Sequence, residues 1–211
     1  CTGKGPAAMI TRHILLAALT VSAVERTAAQ CGGSGRAAFD AYWQGMNTEF
    51  ADSATSPLTE EARRHFNGLD VFPFDSAYCV RATFTRVSDA EPFAMATTRT
   101  RTPTYKVHGL LRFTLNGTGR TLEVYESVPP HPGHEDHLFV PFTDLTNGDE
   151  TYGVGRYLDL VAPLGPEVDL DFNRAYNPYC AYNDKYSCPI PPKANHLITP
   201  VRAGVRGGSG H

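Results

Sequence analysis

The spacing of apolar residues divides the chain into a short helical opening and a longer β-rich remainder. Over residues 36–50, RAAFDAYWQGMNTEF, aromatic and apolar side chains recur every three or four positions, which predicts an amphipathic helix with its aromatic residues in the core. A second helix is indicated by SPLTEEARRHF, in which Ser56 or Thr59 can cap the start and Asn67-Gly68 follow the end. We therefore expect two short helices before the sheet.

From residue 77 onward, apolar and polar residues alternate, as in strands with one buried face. The clearest hairpin joins KVHGLLRFTL to RTLEVYES through Asn116-Gly117, a dipeptide that favours a tight turn. Further predicted strands occupy residues 77–87, 137–142, 156–161, 168–172 and 197–203. Short strands without long helices between them predict a mainly β (α+β) fold, an antiparallel β-sandwich or partly open barrel, in one domain at residues 36–206.

The amino-terminal segment has the pattern of an export signal. Residues 9–29 contain a charged start after Met9, an apolar stretch and a small-residue exit, as secretory signal peptides do. The stretch of about eleven apolar residues is too short to span a bilayer. Residues 1–8 are interpreted as an upstream extension and residues 207–211 as a disordered tail. We expect a secreted or periplasmic protein; lipidation at Cys31 is the weaker alternative, because glutamine rather than a small residue precedes it.

Charge and motif content argue against several classes of function. A net charge of −3 and a pI near 6.2, without runs of like charge, provide no basic surface for nucleic acid or anionic lipid. The chain lacks the G-x-S-x-G elbow, the H-E-x-x-H zinc motif, the P-loop and the dinucleotide-binding glycine fingerprint. The sequence therefore predicts no cofactor and no nucleic-acid partner, and it leaves open whether the protein is an enzyme.

Removal of the leader would leave four cysteines in an oxidising compartment: Cys31, Cys79, Cys180 and Cys188. Four cysteines allow three pairings, but Cys180 and Cys188 would close a loop of only about nine residues, so we predict a disulfide between them. Two free buried thiols are the alternative, and a metal pair is disfavoured because zinc ligands are usually about two to four residues apart. Cys79, within a predicted strand, is expected in the core.

The segment FTDLTNGDETYGVGRY places Asp144, Tyr152 and Arg156 around glycines that permit turns and close approach of the backbone. Arg156 leads into an apolar strand. Its guanidinium is therefore expected either at a cavity mouth, where it recognises an anion, or paired with a buried carboxylate. Turn formation alone also accounts for the glycines and for Asp144.

A second polar group follows the strand EVDL, where DFNRAYNPYC contains Asp171, Asn173 and Arg174. If they are buried, these side chains must satisfy one another, because each unpaired polar group costs about 1–3 kcal/mol. The alternative is a binding site in which Arg156 and Arg174 face one small polar or anionic ligand. Asp144 or Asp171 would then orient the two guanidinium groups.

Tyrosines and histidines close to these segments allow two further interpretations. Aromatic faces combined with asparagine amides are typical of glycan-binding surfaces. Four tyrosines follow Arg174: Tyr176, Tyr179, Tyr182 and Tyr186. The HPGHEDH stretch contains candidate metal ligands, His131, His134 and His137, but its proline and glycine indicate a solvated loop, so no metal site is predicted.

Three stretches resemble a bacterial family known as domain of unknown function 1684. They are SPLTEEARRHFNGLDVFPFD, LFVPFTDLTNGDETYGVGRYLDL and LDFNRAYNPYCAYNDKYSCPIPPKANHL followed by VRAG, and together they cover most of residues 36–204. The resemblance implies a single bacterial domain. Because the family has no assigned activity, it implies no catalytic residue.

These observations lead to one hypothesis and two alternatives. We expect an exported protein that binds a small polar or anionic ligand in a pocket formed by TYGVGRY and DFNRAYNPYC. The first alternative is an enzyme that uses the same aspartate and arginine groups for acid/base or electrostatic catalysis. The second is a structural or glycan-binding module of the cell envelope.

Overall fold

The computed structural model describes residues 1–2 and 35–207 of the chain. The predicted signal peptide at residues 9–29, the candidate lipidation site Cys31 and positions 208–211 of the predicted tail lie outside the described residues, so these expectations stay predictions. Within the described part of the chain, no helix is long and apolar enough to cross a membrane.

Within residues 35–207, two α-helices precede the sheet, as the apolar spacing predicts. Helix α1 spans Arg36–Ala51 and helix α2 spans Glu60–Arg64. Thr59, one of the two candidate caps, begins α2, and its hydroxyl accepts a hydrogen bond of 3.1 Å from the amide of Ala62. Three aromatic residues of α1 are buried in the core, also as predicted: Phe39, Trp43 and Phe50.

Eight strands follow: β1 Cys79–Arg86, β2 Phe93–Ala94, β3 Thr104–Leu115, β4 Thr118–Ser127, β5 His137–Asp144, β6 Arg156–Val161, β7 Glu167–Asp171 and β8 His196–Leu197. They form one sheet in the order β6-β5-β4-β3-β1-β7 with antiparallel neighbours, while β2 pairs with β3 and β8 pairs in parallel with β5. The β3–β4 hairpin turns at Asn116 and Gly117, whose φ angles of 51° and 74° suit the predicted tight turn. The sheet curls into a half-barrel, which confirms the mainly β (α+β) fold in its partly open form.

The strand predicted at residues 197–203 is wrong over most of its length. Only His196–Leu197 pair with β5, and the chain beyond them is irregular. Backbone carbonyls of this carboxy-terminal segment bind the Arg156 side chain instead of a neighbouring strand. Gly207, predicted to begin a disordered tail, is held by a 2.5 Å hydrogen bond from the side-chain amide of Asn177 to its carbonyl.

Strands β5 and β6, at one end of the sheet, are covered on both faces. Leu138, Val140 and Leu158 belong to the main core on one face of the sheet. Phe139 and Tyr157, which alternate with them along the strands, belong to a second, aromatic cluster on the other face. This second face carries the pocket described below.

Helix α1 lies against the loop that follows β7. The indole Nε1 of Trp43 donates a buried hydrogen bond of 3.0 Å to the carbonyl of Asn173. The hydroxyl of the adjacent residue, Tyr42, donates to the carbonyl of Arg174 at 3.2 Å. These contacts fix the side of α1 that borders the aromatic face of the sheet.

Candidate functional site

Asp144 and Arg156, two of the predicted ligand-binding residues, form a buried ion pair. Both side chains are 0% exposed, and Asp144 Oδ2 lies 2.8 Å from Arg156 Nη2. Asp144 Oδ1 accepts hydrogen bonds from the amides of Thr146 at 2.9 Å and Val201 at 3.0 Å. The guanidinium also donates to the carbonyls of Val201 at 2.7 Å and Ala203 at 2.5 Å. Burial lowers the pKa of Arg156, but a guanidinium starts so high that it stays charged.

Asp171, Asn173 and Arg174 form a second polar group beneath α1. Asp171 Oδ1 accepts bonds from the backbone and side-chain amides of Asn173 at 3.1 and 2.9 Å, and Asn173 bonds the backbone of Asp75 with both side-chain polar atoms. Arg174 Nε lies 3.6 Å from Asp171, and its guanidinium stacks 5.5 Å from the ring centroid of Tyr42. Asp171 and Arg174 border a cavity of about 310 Å³.

Tyr152, the remaining predicted ligand contact, lies in neither group. Its hydroxyl is 3.8 Å from the sulfur of Cys180. Burial raises the pKa of Tyr152, so the phenol is protonated at neutral pH.

The six predicted residues therefore do not line one pocket, which corrects the expectation that Arg156 and Arg174 face a shared ligand. Arg156 is enclosed in the core, whereas the Arg174 side chain is 41% exposed. The reason is strand alternation: Arg156 and Leu158 point to the main core, and Tyr157 and Asp159 point to the opposite face. Ligand contact by Arg174 stays a prediction.

The opposite face carries a pocket of about 510 Å³ walled mainly by aromatic side chains. We call it the tyrosine pocket. Helix α1, the sheet and the loop at residues 176–189 supply its walls. Seven aromatic residues line it: Tyr42, Tyr105, Phe139, Tyr157, Tyr176, Tyr179 and Tyr186. It shares Tyr42 and Asp159 with the smaller cavity that Arg174 borders.

Helix α1 forms one wall through Tyr42, Met46 and Glu49. Their spacing of four and three residues places the three side chains on one face of the helix. Glu49 Oε1 accepts a hydrogen bond of 2.6 Å from the hydroxyl of Tyr179, so the helix is tied to the loop across the pocket.

The sheet forms the floor through Tyr105, Phe139 and Tyr157. Phe139 meets Tyr157 edge to face with ring centroids 4.7 Å apart, and Tyr105 lies 5.7 Å from Phe139 on its other side. The Tyr157 hydroxyl donates to the carbonyl of Pro189, which fixes the loop to the floor. Burial raises the pKa of Tyr157, so the phenol keeps its proton for that bond.

A hydrogen-bonded row of His137, Asp159 and Tyr176 lies at the pocket. His137 Nε2 is 2.8 Å from Asp159 Oδ1, and the Tyr176 hydroxyl donates to Asp159 Oδ2 at 2.7 Å. The hydrogen bond from Asp159 raises the pKa of His137, and burial raises the pKa of Tyr176 well above its ordinary value. Among residues 35–207, the other imidazole nitrogen, Nδ1, has no hydrogen-bond partner. It can therefore bind a ligand or exchange a proton with one.

The loop at residues 176–189 closes the remaining side. Tyr179 and Tyr186 contact each other with ring centroids 5.2 Å apart. Tyr182 instead packs perpendicular to Phe50, 5.0 Å away and outside the pocket. Three of the four tyrosines considered for glycan binding thus meet at one site.

The charges around the pocket do not favour an anion. Arg101 and two histidines line it together with the carboxylates of Glu49 and Asp159. In the adjoining cavity, Arg174 faces three aspartates. Positive charge is therefore balanced or outnumbered, and a small anion would meet carboxylates in both places.

The histidines of HPGHEDH do not come together as a metal site. The amide of His134 donates to the carbonyl of His131 at 2.9 Å, forming a turn, and His137 pairs with Asp159. In the described part of the chain, no group of three or more His, Cys, Asp or Glu side chains has the arrangement of metal ligands.

Cys180 and Cys188 lie together, but as two buried free thiols rather than as the predicted disulfide. The backbone amide of Cys180 donates to the sulfur of Cys188 at 3.1 Å. The sequence spacing thus placed the two residues correctly, and their covalent bond stays a prediction. Cys79 is buried at the start of β1, as expected.

Sequence reasoning missed the pocket residues on α1 and on the sheet. The available signal was the run LFVPF in β5, whose consecutive apolar residues imply that both faces of the strand are covered. That run predicts a second apolar surface, but it does not reveal which distant tyrosines complete it.

The fold and the site together define a β-rich half-barrel with an aromatic pocket on the face of its sheet opposite the main core. The sequence profile of the family described as "Protein of unknown function (DUF1684)" matches residues 64–206, so the chain belongs to this family. The resemblance seen in the sequence is thereby confirmed, while a bacterial origin stays an expectation.

One similar solved structure is the solution NMR structure of an uncharacterized protein of Haloarcula marismortui. It is 37% identical, with a TM-score of 0.66, and the match covers 83% of this chain and 95% of that one. No curated protein matches the chain. Function must therefore be argued from the site itself.

Proposed function

We propose that the protein binds a small polar molecule in the tyrosine pocket by stacking a ring of the ligand on its aromatic walls. The supporting observation is the convergence of six tyrosines and one phenylalanine on a cavity of about 510 Å³. Small-molecule sites are typically cavities of roughly 300–1,000 Å³ with mainly apolar walls and a few polar groups.

The chemistry of the walls favours a neutral ring such as a sugar. Four of the six tyrosine hydroxyls at the pocket already donate to protein acceptors, so the walls offer mainly ring faces rather than hydroxyl groups. Polar contacts remain at His137 Nδ1 and at Arg101, which also lines the pocket. The carboxylates of Glu49 and Asp159 disfavour an anionic ligand.

The test is a thermal-shift screen of the full chain against neutral sugars, nucleosides, aromatic acids and amines, followed by calorimetric titration of each hit. A binder from the neutral ring class is the expected result. Tyr186→Ala should weaken its binding by about 0.5–1.5 kcal/mol, roughly 2- to 12-fold in Kd, because one stacking face is lost. The matched control is Tyr182→Ala, in the same loop but outside the pocket, which should leave the Kd unchanged.

Two outcomes contradict this proposal. One is the absence of any stabilising compound across all four classes. The other is a hit whose Kd responds equally to Tyr186→Ala and Tyr182→Ala, because binding would then depend on the loop rather than on the pocket. A hit confined to the acids would contradict the inference about charge.

A second candidate function, an enzyme, is favoured by the row of His137, Asp159 and Tyr176. A histidine whose one nitrogen is held by a carboxylate and whose other nitrogen is unpartnered has the arrangement of a general acid or base. The catalytic group would then be His137 rather than Asp144 or Asp171. If a bound compound is turned over, His137→Gln should abolish turnover while binding is retained; unchanged turnover would exclude this role.

We further propose that the protein is exported to a secreted or periplasmic location. The support is the signal-peptide pattern at residues 9–29. Expression of the chain in a bacterial host with fractionation is the test, and a mature form in the periplasm or medium that begins near residue 30 is the expected result. Retention of an uncleaved chain in the cytoplasm would contradict it.

A further inference from the structure

Two segments of fixed backbone hold the thiols of Cys180 and Cys188 beside each other. Cys180 lies in the short 3-10 helix Tyr179–Ala181, and its backbone amide donates a hydrogen bond of 3.1 Å to the Cys188 sulfur. Cys188 is paired through its backbone with Thr98: its amide donates to the Thr98 hydroxyl at 3.1 Å, and its carbonyl accepts from the Thr98 amide at 2.9 Å. Neither thiol has to be brought in from a distance to react with the other.

The surroundings of the pair suit a thiolate. The two sulfurs share a hydrogen bond, and the hydroxyl of Tyr152 lies 3.8 Å from Cys180 on the other side. The bond from the Cys188 thiol lowers the pKa of Cys180 to about 6, and the same bond raises the pKa of Cys188. The pair therefore holds one proton between two sulfurs near neutral pH, and the proton can pass along the bond that joins them.

One sulfur of the pair borders the tyrosine pocket. Cys188 contributes to the pocket wall beside Tyr186 and Pro189, whereas Cys180 does not line the pocket. Each residue is 7% exposed, so reagents in bulk solvent have little direct access to either. The pocket provides the route by which a small molecule reaches Cys188.

We propose that Cys180 and Cys188 are a redox-active dithiol that exchanges with small-molecule disulfides entering through the tyrosine pocket. The Cys188 sulfur attacks one sulfur of the disulfide, forms a mixed disulfide and expels the first thiolate. The resting thiolate is on Cys180, so the shared proton passes from Cys188 to Cys180 along their hydrogen bond as Cys188 attacks, and the expelled thiolate then takes that proton from Cys180. The Cys180 thiolate next attacks the Cys188 sulfur and expels the second thiolate. The pair loses two electrons to the small molecule, which leaves as two thiol equivalents.

This inference does not rest on the proposed sugar-like ligand, because it requires only that the pocket admits a small disulfide. It also reconciles the predicted disulfide with the two free thiols, as the oxidised and reduced forms of one site.

The test uses the full chain, fully reduced and then exposed to bis(2-hydroxyethyl) disulfide, with tryptic peptide mapping by mass spectrometry. Lys185 lies between the two cysteines, so cleavage there places them on separate peptides that only a disulfide can join. The sample is the uncleaved chain, which keeps residues 1–29, so that the exposed free thiol of Cys1 reports in the same sample that the reagent is active. The expected result is loss of both pair thiols, recovery of the joined peptides and no lasting adduct at either cysteine.

The variant Cys180→Ser removes the resolving thiol and should trap the adduct on Cys188. Cys188→Ser should leave Cys180 unmodified while Cys1 still reacts. The wild-type map remains decisive even if a variant fails to fold. The proposal is overturned if Cys1 reacts and the pair stays reduced, if wild type accumulates an unresolved adduct, or if Cys180 reacts in the Cys188→Ser variant.

Discussion

The replacement Asp144→Asn tests whether the Asp144–Arg156 pair belongs to the core rather than to a ligand site. The substitution keeps the shape of the side chain and an oxygen for the amides of Thr146 and Val201, but it removes the charge that faces Arg156 Nη2 at 2.8 Å. Both side chains are 0% exposed, so water cannot replace the lost partner. An unpaired buried guanidinium remains.

Breaking a buried ion pair in this way costs about 3–5 kcal/mol of unfolding free energy. With an m value of about 2 kcal/mol per molar urea, the unfolding midpoint should fall by roughly 2 M. Equilibrium urea unfolding followed by tryptophan fluorescence measures the shift, because Trp43 is buried against the domain. The matched control is Arg202→Met, which removes the exposed Arg202–Glu150 pair and should leave the midpoint nearly unchanged.

The double variant Asp144→Asn with Arg156→Met provides a second measure. Because the two side chains interact directly, the double variant should lose less unfolding free energy than the sum of the losses of the two single variants, by about 1–3 kcal/mol. The reasoning is refuted if Asp144→Asn unfolds at the wild-type midpoint and loses ligand binding, because the pair would then be a recognition element.

Three further predictions concern other parts of the fold. The pKa of His137 is raised in the folded protein, so its pairing stabilises fully below the unfolded pKa of 6.5, and that stability is lost as pH rises through the folded value. The unfolding free energies of wild type and His137→Gln should therefore differ most at acid pH when both are measured from pH 5 to 9. A difference that grows with pH would contradict this prediction. Gly204→Ala should lower the unfolding free energy by more than about 2 kcal/mol, because the new Cβ would collide with the carbonyl of Ala175. The control Gly148→Ala has a similar φ but open space around the new Cβ, and it should cost about 1 kcal/mol. Equal shifts in melting temperature for the two variants would contradict this prediction. Asn195→Ala removes a fully buried side-chain amide that hydrogen-bonds the backbone of strands β4 and β5. The unfolding free energy measured in urea should fall by roughly 3 kcal/mol. A change within experimental error would show that these hydrogen bonds do not stabilise the fold.

Much of the fold could be predicted because the relevant signals are local. The period of α1, the Thr59 cap and the Asn116-Gly117 turn each depend on residues within a few positions, and all three are found. The predicted strand at residues 197–203 was wrong because its carbonyls bind Arg156, about 45 residues away in sequence. No local pattern encodes such a partner.

The predicted site residue Arg156 is separated from the tyrosine pocket by one strand position. Arg156 and Tyr157 are neighbours in sequence, yet alternation sends the first into the core and the second into the pocket. The chemistry of Arg156 pointed to the core face of the strand, and the sequence pattern predicted no role for Tyr157. Conversely, the crowded loop tyrosines were a real signal, since Tyr176, Tyr179 and Tyr186 meet at the pocket.

The pocket was out of reach of sequence alone because three distant segments build it. Glu49 on α1 and Tyr179 in the loop are 130 residues apart and are joined by a 2.6 Å hydrogen bond. Only the curl of the sheet and the docking of α1 bring them together.

The central claim, that the tyrosine pocket is a binding site, is tested most directly by NMR titration of the isotope-labelled chain with the strongest compound from the neutral ring screen. The account predicts saturable shifts concentrated on the rings of Tyr179 and Tyr186 and on the imidazole of His137, with Tyr182 unaffected. Saturable shifts centred elsewhere on the molecule, with these rings silent, would contradict it.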